Sequence, residues 1–211
     1  MGLQIKVLGG GCEEKGILAD RKKIPLVGSI FFDSILKLVE MARRMNDFDL
    51  VALEINASCP NTEGGFLQNT EKVIMGCSAV KEVSRFPLIL KVSVVHDVRL
   101  IFAGMDDEII EAISINSVPW KTIFPCAKSP LEHLGGGGVS GRIAQAYTWG
   151  LVKDLVSLTS IPVIGPSVWE FEDIGRLREI GAKAISFGSI FLRYPWRPTQ
   201  FVRKDMERNR N

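Results

Sequence analysis

Short apolar runs alternate with longer stretches of helical spacing along this chain, and that alternation restricts the fold more than any other feature. Pro25–Ile30 (PLVGSI) reads as a buried strand. Ser34–Asn46 reads as a helix, with Ile35, Leu38, Val39, Ala42 and Met45 on one face and Ser34 as its N-cap. The pattern repeats as strand Leu50–Ile55, helix Thr70–Ser84 opening with a capping residue, strand Leu88–Val92, a short helix Val98–Met105 and a brief strand Ala112–Ile115. A Gly- and Pro-rich connection then runs from Asn116 to about Gly141, and connections of that length are seldom without a role. Helix Arg142–Leu158, strand Ile161–Ile164, helix Phe171–Ile180, strand Ala184–Phe187 and helix Gln200–Arg208 complete the order. Apolar strands alternating with helices predict a parallel sheet with helices outside it.

Two architectures satisfy that order, a doubly wound open sheet and a (β/α)8 barrel. A dinucleotide-binding open sheet calls for GxGxxG after its first strand, and Gly9-Gly10-Gly11 does not have that spacing. Six β-α units in 211 residues would be a barrel without its first two units. No Pro/Gly/Ser-rich linker divides the chain, so residues 1–211 read as one domain.

Charge excludes some classes of partner. With 26 basic and 24 acidic residues the net charge is +2, which gives no attraction for nucleic acid or an anionic membrane surface. The locally basic stretch Arg193–Arg210 reads as a solvated final helix. Cys12, Cys59, Cys77 and Cys126 form no CxxC pair, and His96 and His133 are the only histidines, so a metal site has no local signature. Free thiols, no apolar run near 20 residues and no signal-like pattern in Met1–Lys6 lead to the expectation of a cytoplasmic protein.

In a barrel, chemistry sits at the C-terminal strand ends. Here those ends carry Asn56, Cys59 and Asn61, then Lys91, then Asn116 and Ser117, then Gly165-Pro166-Ser167, and last Gly188-Ser189. Such a ring of amide, hydroxyl, ammonium and backbone donors suits a flat polar ligand bearing a phosphate. Taken singly, the asparagines would serve as loop caps, Cys59 as a small apolar residue and Gly135–Gly138 as a flexible loop. Lys91 resists the bland reading, because an ammonium late in an apolar strand needs a partner.

Together these segments resemble the dihydroorotate dehydrogenases, from Met1-Gly2-Leu3-Gln4 to about Leu192. Glu54–Asn61 (EINASCPN) is the most specific piece; Asn116-Ser117 and Gly137-Gly138-Val139-Ser140-Gly141 follow in the family's order. The resemblance implies an FMN-dependent (β/α)8 barrel, here incomplete, that oxidises dihydroorotate to orotate in pyrimidine biosynthesis. It implies Cys59 as general base and Asn56, Lys91 and Gly138 beside FMN. The FMN phosphate would lie between Gly165 and Ser167 on one side and Gly188 and Ser189 on the other, and Asn61, Asn116 and Ser117 would bind the pyrimidine and its carboxylate. A cysteine base resembles the soluble class of the family. The resemblance also implies a homodimer, with an iron–sulfur/FAD electron-transfer subunit as a further partner, and either fumarate or NAD as acceptor.

The chain departs from the family pattern in two places. The match starts at the family's third strand, so a lysine and an asparagine that precede it have no counterpart. Gly165-Pro166-Ser167-Val168 replaces a glycine pair that would hold the phosphate, and the two side chains would crowd it. The missing lysine and asparagine, with the strand edge left exposed, favour an alternative reading as a catalytically inactive fragment or interaction scaffold. A flavin barrel acting on another pyrimidine is a third reading, opposed by the joint presence of Asn61, Asn116 and Ser117.

Overall fold

Side chains of alternate residues divide each of the first four strands into two rows. In the computed structural model, which describes residues 24–31, 34–58 and 69–208, these are β1 (Val27–Ile30), β2 (Ala52–Asn56), β3 (Leu88–Val92) and β4 (Ala112–Ile115). All pair in parallel, in the order β1-β2-β3-β4. Leu53, Ile55, Leu88, Leu90, Val92 and Ile113 form the outer row, in one apolar core with Leu38, Met45, Val73, Val80 and Ile101 of the helices. That row drives the fold: burying each large aliphatic side chain contributes about 1.5–3 kcal/mol. The inner row is Val27, Ser29, Glu54, Ile89, Lys91 and Ser114, and it faces a cavity. The strands are therefore not apolar on both faces, as the composition of the runs suggests; the inner face is largely polar.

The helices on the outer face are α1 (Ile35–Met45), α2 (Thr70–Val83) and α3 (Val98–Gly104). Ser34 caps α1 as expected, its hydroxyl accepting from the Lys37 N–H at 3.4 Å. The cap of α2 is Asn69 and not Thr70: the Asn69 side chain accepts from the Lys72 N–H at 2.9 Å. Gly28 lets α1 lie against β1, since a Cβ there would stand 2.5 Å from the end of Met45.

The connection from Asn116 to Gly141 is not structureless. Strands β5 (Val118–Pro119) and β6 (Gly138–Val139) pair antiparallel, and α4 (Trp120–Ile123) and a 3-10 turn at Glu132–Leu134 lie between them. A second 3-10 turn, Arg142–Ala144, leads into α5 (Gln145–Leu158). Strand β7 (Ile164–Gly165) joins β4 through a parallel bridge between Ile113 and Val163, and β8 (Ala184–Ile185) pairs parallel with β7. Both are shorter than the apolar runs around them. Helix α6 (Glu172–Ile180) lies between them in the chain, and α7 (Ile190–Arg193) and α8 (Arg197–Arg208) follow β8.

The sheet thus runs β1-β2-β3-β4-β7-β8 with helices outside, and no pairing joins β8 to β1 among the described residues. The basic final segment is a docked helix: both Arg178 guanidinium nitrogens of α6 donate to Asp205 at 2.6 Å, and Phe201 packs edge-on against Phe171 at 5.9 Å. No helix among the described residues is long and apolar enough to cross a membrane.

Candidate functional site

A cavity of about 700 Å³, within the usual range of small-molecule sites, lies against the inner face of the sheet, lined by C-terminal strand ends and by residues 24–27 at the start of β1. Lys91, Asn116, Ser117, Ser167, Gly188 and Ser189 all line it. Asn56, Gly138 and Gly165, expected beside the cofactor, are not among the residues that line it. Asn56 turns its side-chain oxygen to Ser58, accepting from the backbone N–H at 3.3 Å and the hydroxyl at 3.0 Å. Gly138 makes room for Ser117, because a Cβ there would stand 2.1 Å from the serine oxygen. Gly165 lets α6 approach, its missing Cβ lying 2.9 Å from Leu177. Cys59 and Asn61 lie outside the described residues, as do Met1–Gln4, Gly9-Gly10-Gly11 and Cys12.

The cavity floor holds a group that motif reading passes over. Glu54 Oε1 accepts from the Ser29 hydroxyl at 2.8 Å and from Lys91 Nζ at 2.9 Å, and Oε2 accepts from the Ser114 hydroxyl at 2.8 Å. Strand periodicity carries the signal: an acidic residue in LVALEI and a basic one in LILKV, each on the row opposite the apolar one, mark an interior polar face. Lys91 therefore has the partner that its place demands.

Above the floor, the chain is pinned at Ser58, the last described residue before Cys59. Ser58 is 4% exposed, and its hydroxyl both donates to Asn56 and accepts from Asn116 Nδ2, the latter at 2.8 Å. Asn116 Oδ1 in turn accepts from the Ser117 N–H at 2.8 Å.

Opposite, the turn after β7 is held under backbone strain. Ser167 has φ +63°, the one non-glycine residue with positive φ among the described residues. Its carbonyl accepts from Gln145 Nε2 at 2.9 Å, and its hydroxyl meets that of Thr148 at 3.2 Å. Gln145 also donates to the buried Asp173 at 2.8 Å, and the same Asp173 oxygen accepts from the N–H groups of Trp169 and Glu170. Helices α5 and α6 together impose this turn, and the strain marks it as a candidate ligand contact.

His96 is buried beneath the loop following β3, with Nδ1 accepting from the Ser93 N–H at 3.0 Å. Nε2 has no partner of ordinary hydrogen-bond geometry. Burial lowers its pKa from the usual 6.5, partly offset by the backbone of Ser93 and Ala57. Complete burial pushes the Cys77 thiol up to about 12, so it is inert, whereas Cys126 is exposed. Among the described residues no cluster of His, Cys, Asp and Glu is placed to hold a metal.

Comparison with known proteins decides the family. The family model for dihydroorotate dehydrogenase matches residues 12–195. The chain belongs to the dihydroorotate dehydrogenase family. Members of this family fold as (β/α)8 barrels, and the six-stranded parallel sheet described above is an incomplete one. Among similar dihydroorotate dehydrogenases, the B (NAD(+)) catalytic subunit of Methanocaldococcus jannaschii is 27% identical over 81% of this chain and 57% of its own length. That of Methanosarcina acetivorans is 29% identical over 90% of this chain and 63% of its own, and that of Pyrococcus abyssi 30% identical over 80% and 58%. The chain thus spans about three fifths of the length of these relatives.

Proposed function

We propose that this chain carries the flavin and substrate site of a dihydroorotate dehydrogenase, oxidising (S)-dihydroorotate to orotate on the way to UMP. What carries the reading is the meeting of Lys91, Asn116, Ser117, Ser167, Gly188 and Ser189, from four different strand ends, around one cavity. Their chemistry fits FMN: a cation and amides for a flat heterocycle, and hydroxyl and backbone donors on the opposite wall for a phosphate. FMN, when bound, would accept a hydride from the substrate.

The protein's own part is binding and proton transfer. Lys91 faces the cofactor from β3, while Ser167, Gly188 and Ser189 hold the phosphate end. Asn116 and Ser117 bind the pyrimidine and its carboxylate, together with Asn61. Cys59 takes the proton from the carbon next to the one that gives up hydride, as a thiolate base. The Asn56–Ser58–Asn116 bonds fix Ser58, the residue just before the base, at the end of β2. Asn56 acts here through Ser58, and Gly138 and Gly165 act by admitting Ser117 and α6. A homodimer, and a further iron–sulfur/FAD subunit that carries electrons onward, complete the reading, in keeping with relatives named catalytic subunits.

A second reading has one observation in its favour. Among the described residues no pairing joins β8 to β1, and strand edges left open there suit an inactive fragment or an interaction scaffold. One measurement separates the two readings: the visible spectrum of the protein after soaking in FMN and desalting. Flavin retained near one per chain, followed by reduction on adding dihydroorotate, is the expected result. A colourless protein overturns the enzymatic reading and leaves the scaffold.

A further inference from the structure

We propose that Glu54 sets the charge that a bound cofactor meets at the cavity floor, by holding Lys91 as half of a neutral pair. The inference rests on the flavin reading above and concerns a residue that reading does not use. Three strands each supply one donor to a carboxylate carried on a fourth: Ser29 of β1, Lys91 of β3 and Ser114 of β4 all donate to Glu54 of β2 within 2.9 Å. Register explains the meeting. Ser29 is paired with Glu54 across β1 and β2, Lys91 with Ser114 across β3 and β4, and Lys91 with Asn56, which puts Glu54 one inner-row position away. All four residues line the cavity, so the network belongs to the site and not to the core behind it.

Three donors on two oxygens leave the carboxylate little freedom to swing away. The Lys91 ammonium has three protons, of which Glu54 takes one, so donors remain for a ligand while the net charge of the pair is zero. The side chains are 18% and 13% exposed, and charges so sheltered from water act more strongly on a neighbour than surface charges do. A lone Lys91 would favour whatever form of a bound ring carries more negative charge; Glu54 offsets that preference. Glu54 is thus a positioning and charge-setting residue.

The test uses the full chain loaded with FMN, with sulfite as probe. Sulfite's lone pair forms a bond to N5 of the oxidised ring, and the displaced electron pair stays on the ring as negative charge, so its affinity reads the local positive charge. Glu54→Gln keeps the shape and removes the charge: its one oxygen accepts from one serine, and its amide N–H donates to the hydroxyl oxygen of the other. The expected result is that E54Q retains FMN, binds sulfite about tenfold more tightly and has a higher midpoint potential. Lys91→Gln is expected to weaken sulfite by about as much, and the double variant to return close to the unsubstituted protein.

An E54Q protein that retains FMN with sulfite affinity and potential unchanged or lowered overturns the proposal, because a merely structural Glu54 would alter cofactor retention and not these. If E54Q does not fold, K91Q reads the same balance from the other side, and unchanged sulfite affinity there is equally decisive. An unsubstituted protein that retains no FMN overturns the flavin reading itself, and this inference with it.

Discussion

Asn116 Nδ2 donates to the Ser58 hydroxyl at 2.8 Å, tying the end of β4 to the residue just before Cys59 across 58 positions of sequence. The same hydroxyl donates to Asn56, so one buried serine fastens two strand ends. Asn116→Ala is expected to destabilise the fold by about 1–2 kcal/mol and, on the proposed function, to slow turnover as well as weaken orotate binding. Urea unfolding of N116A, Ser58→Ala and the double variant checks the link: the two losses should fall short of adding, because each removes the same bond. Full additivity would break the connection between them.

Ser167 sits at φ +63°, where a Cβ is strained. Ser167→Gly is expected to stabilise the protein by about 1 kcal/mol, the relief of strain exceeding the lost hydroxyl contact with Thr148. In a chain of 211 residues that is a rise of about 2–4 °C in Tm by calorimetry. The same variant should retain FMN, since the Ser167 hydroxyl is engaged with Thr148 and the backbone N–H on the phosphate side is kept.

Cys59→Ala should leave FMN retention intact and lower dihydroorotate oxidation by at least about 100-fold, the usual contribution of a positioned base. Stopped-flow reduction of the bound flavin by dihydroorotate measures this directly. Near-normal reduction in C59A removes the role assigned to Cys59.

Burial holds the His96 pKa below its usual 6.5, so the folded state resists taking up a proton that the unfolded chain accepts. The stability linked to His96 is therefore fully present above about pH 6.5 and is lost as pH falls from there toward the lowered value. Urea midpoints at pH 7.5 and 5.0 should differ by more in the native protein than in His96→Phe. Equal differences would show that other groups govern the acid limb.

The outer half of the fold was legible in the chain. Leu88–Val92 and Ala112–Ile115 have the strand bounds their apolar runs suggest, and Ser34 caps α1, because strand alternation, helical spacing and capping are local properties. Where local cues tie, the reading slips. Asn69 and Thr70 are both capping residues, and only the turn geometry selects Asn69. The 116–141 connection reads as loop because a two-residue ribbon such as β5–β6 is stabilised by partners 19 and 21 positions away and leaves no periodic trace. Strands β7 and β8 are shorter than their apolar runs because the sheet ends where pairing ends.

The candidate site divides in the same way. By itself the sequence determined which polar residues stand at strand ends, and so placed Lys91, Asn116, Ser117, Ser167, Gly188 and Ser189 on one side of a barrel; strand order and side-chain alternation suffice for that. Tertiary structure alone decided what each one faces. Register across three strand pairs brings Ser29, Lys91 and Ser114 onto Glu54, packing of α6 claims Gly165, and Ser117 fills the space beside Gly138. These contacts join residues 12–60 positions apart, and no local pattern of spacing or composition encodes which of two inward-facing neighbours a side chain will meet.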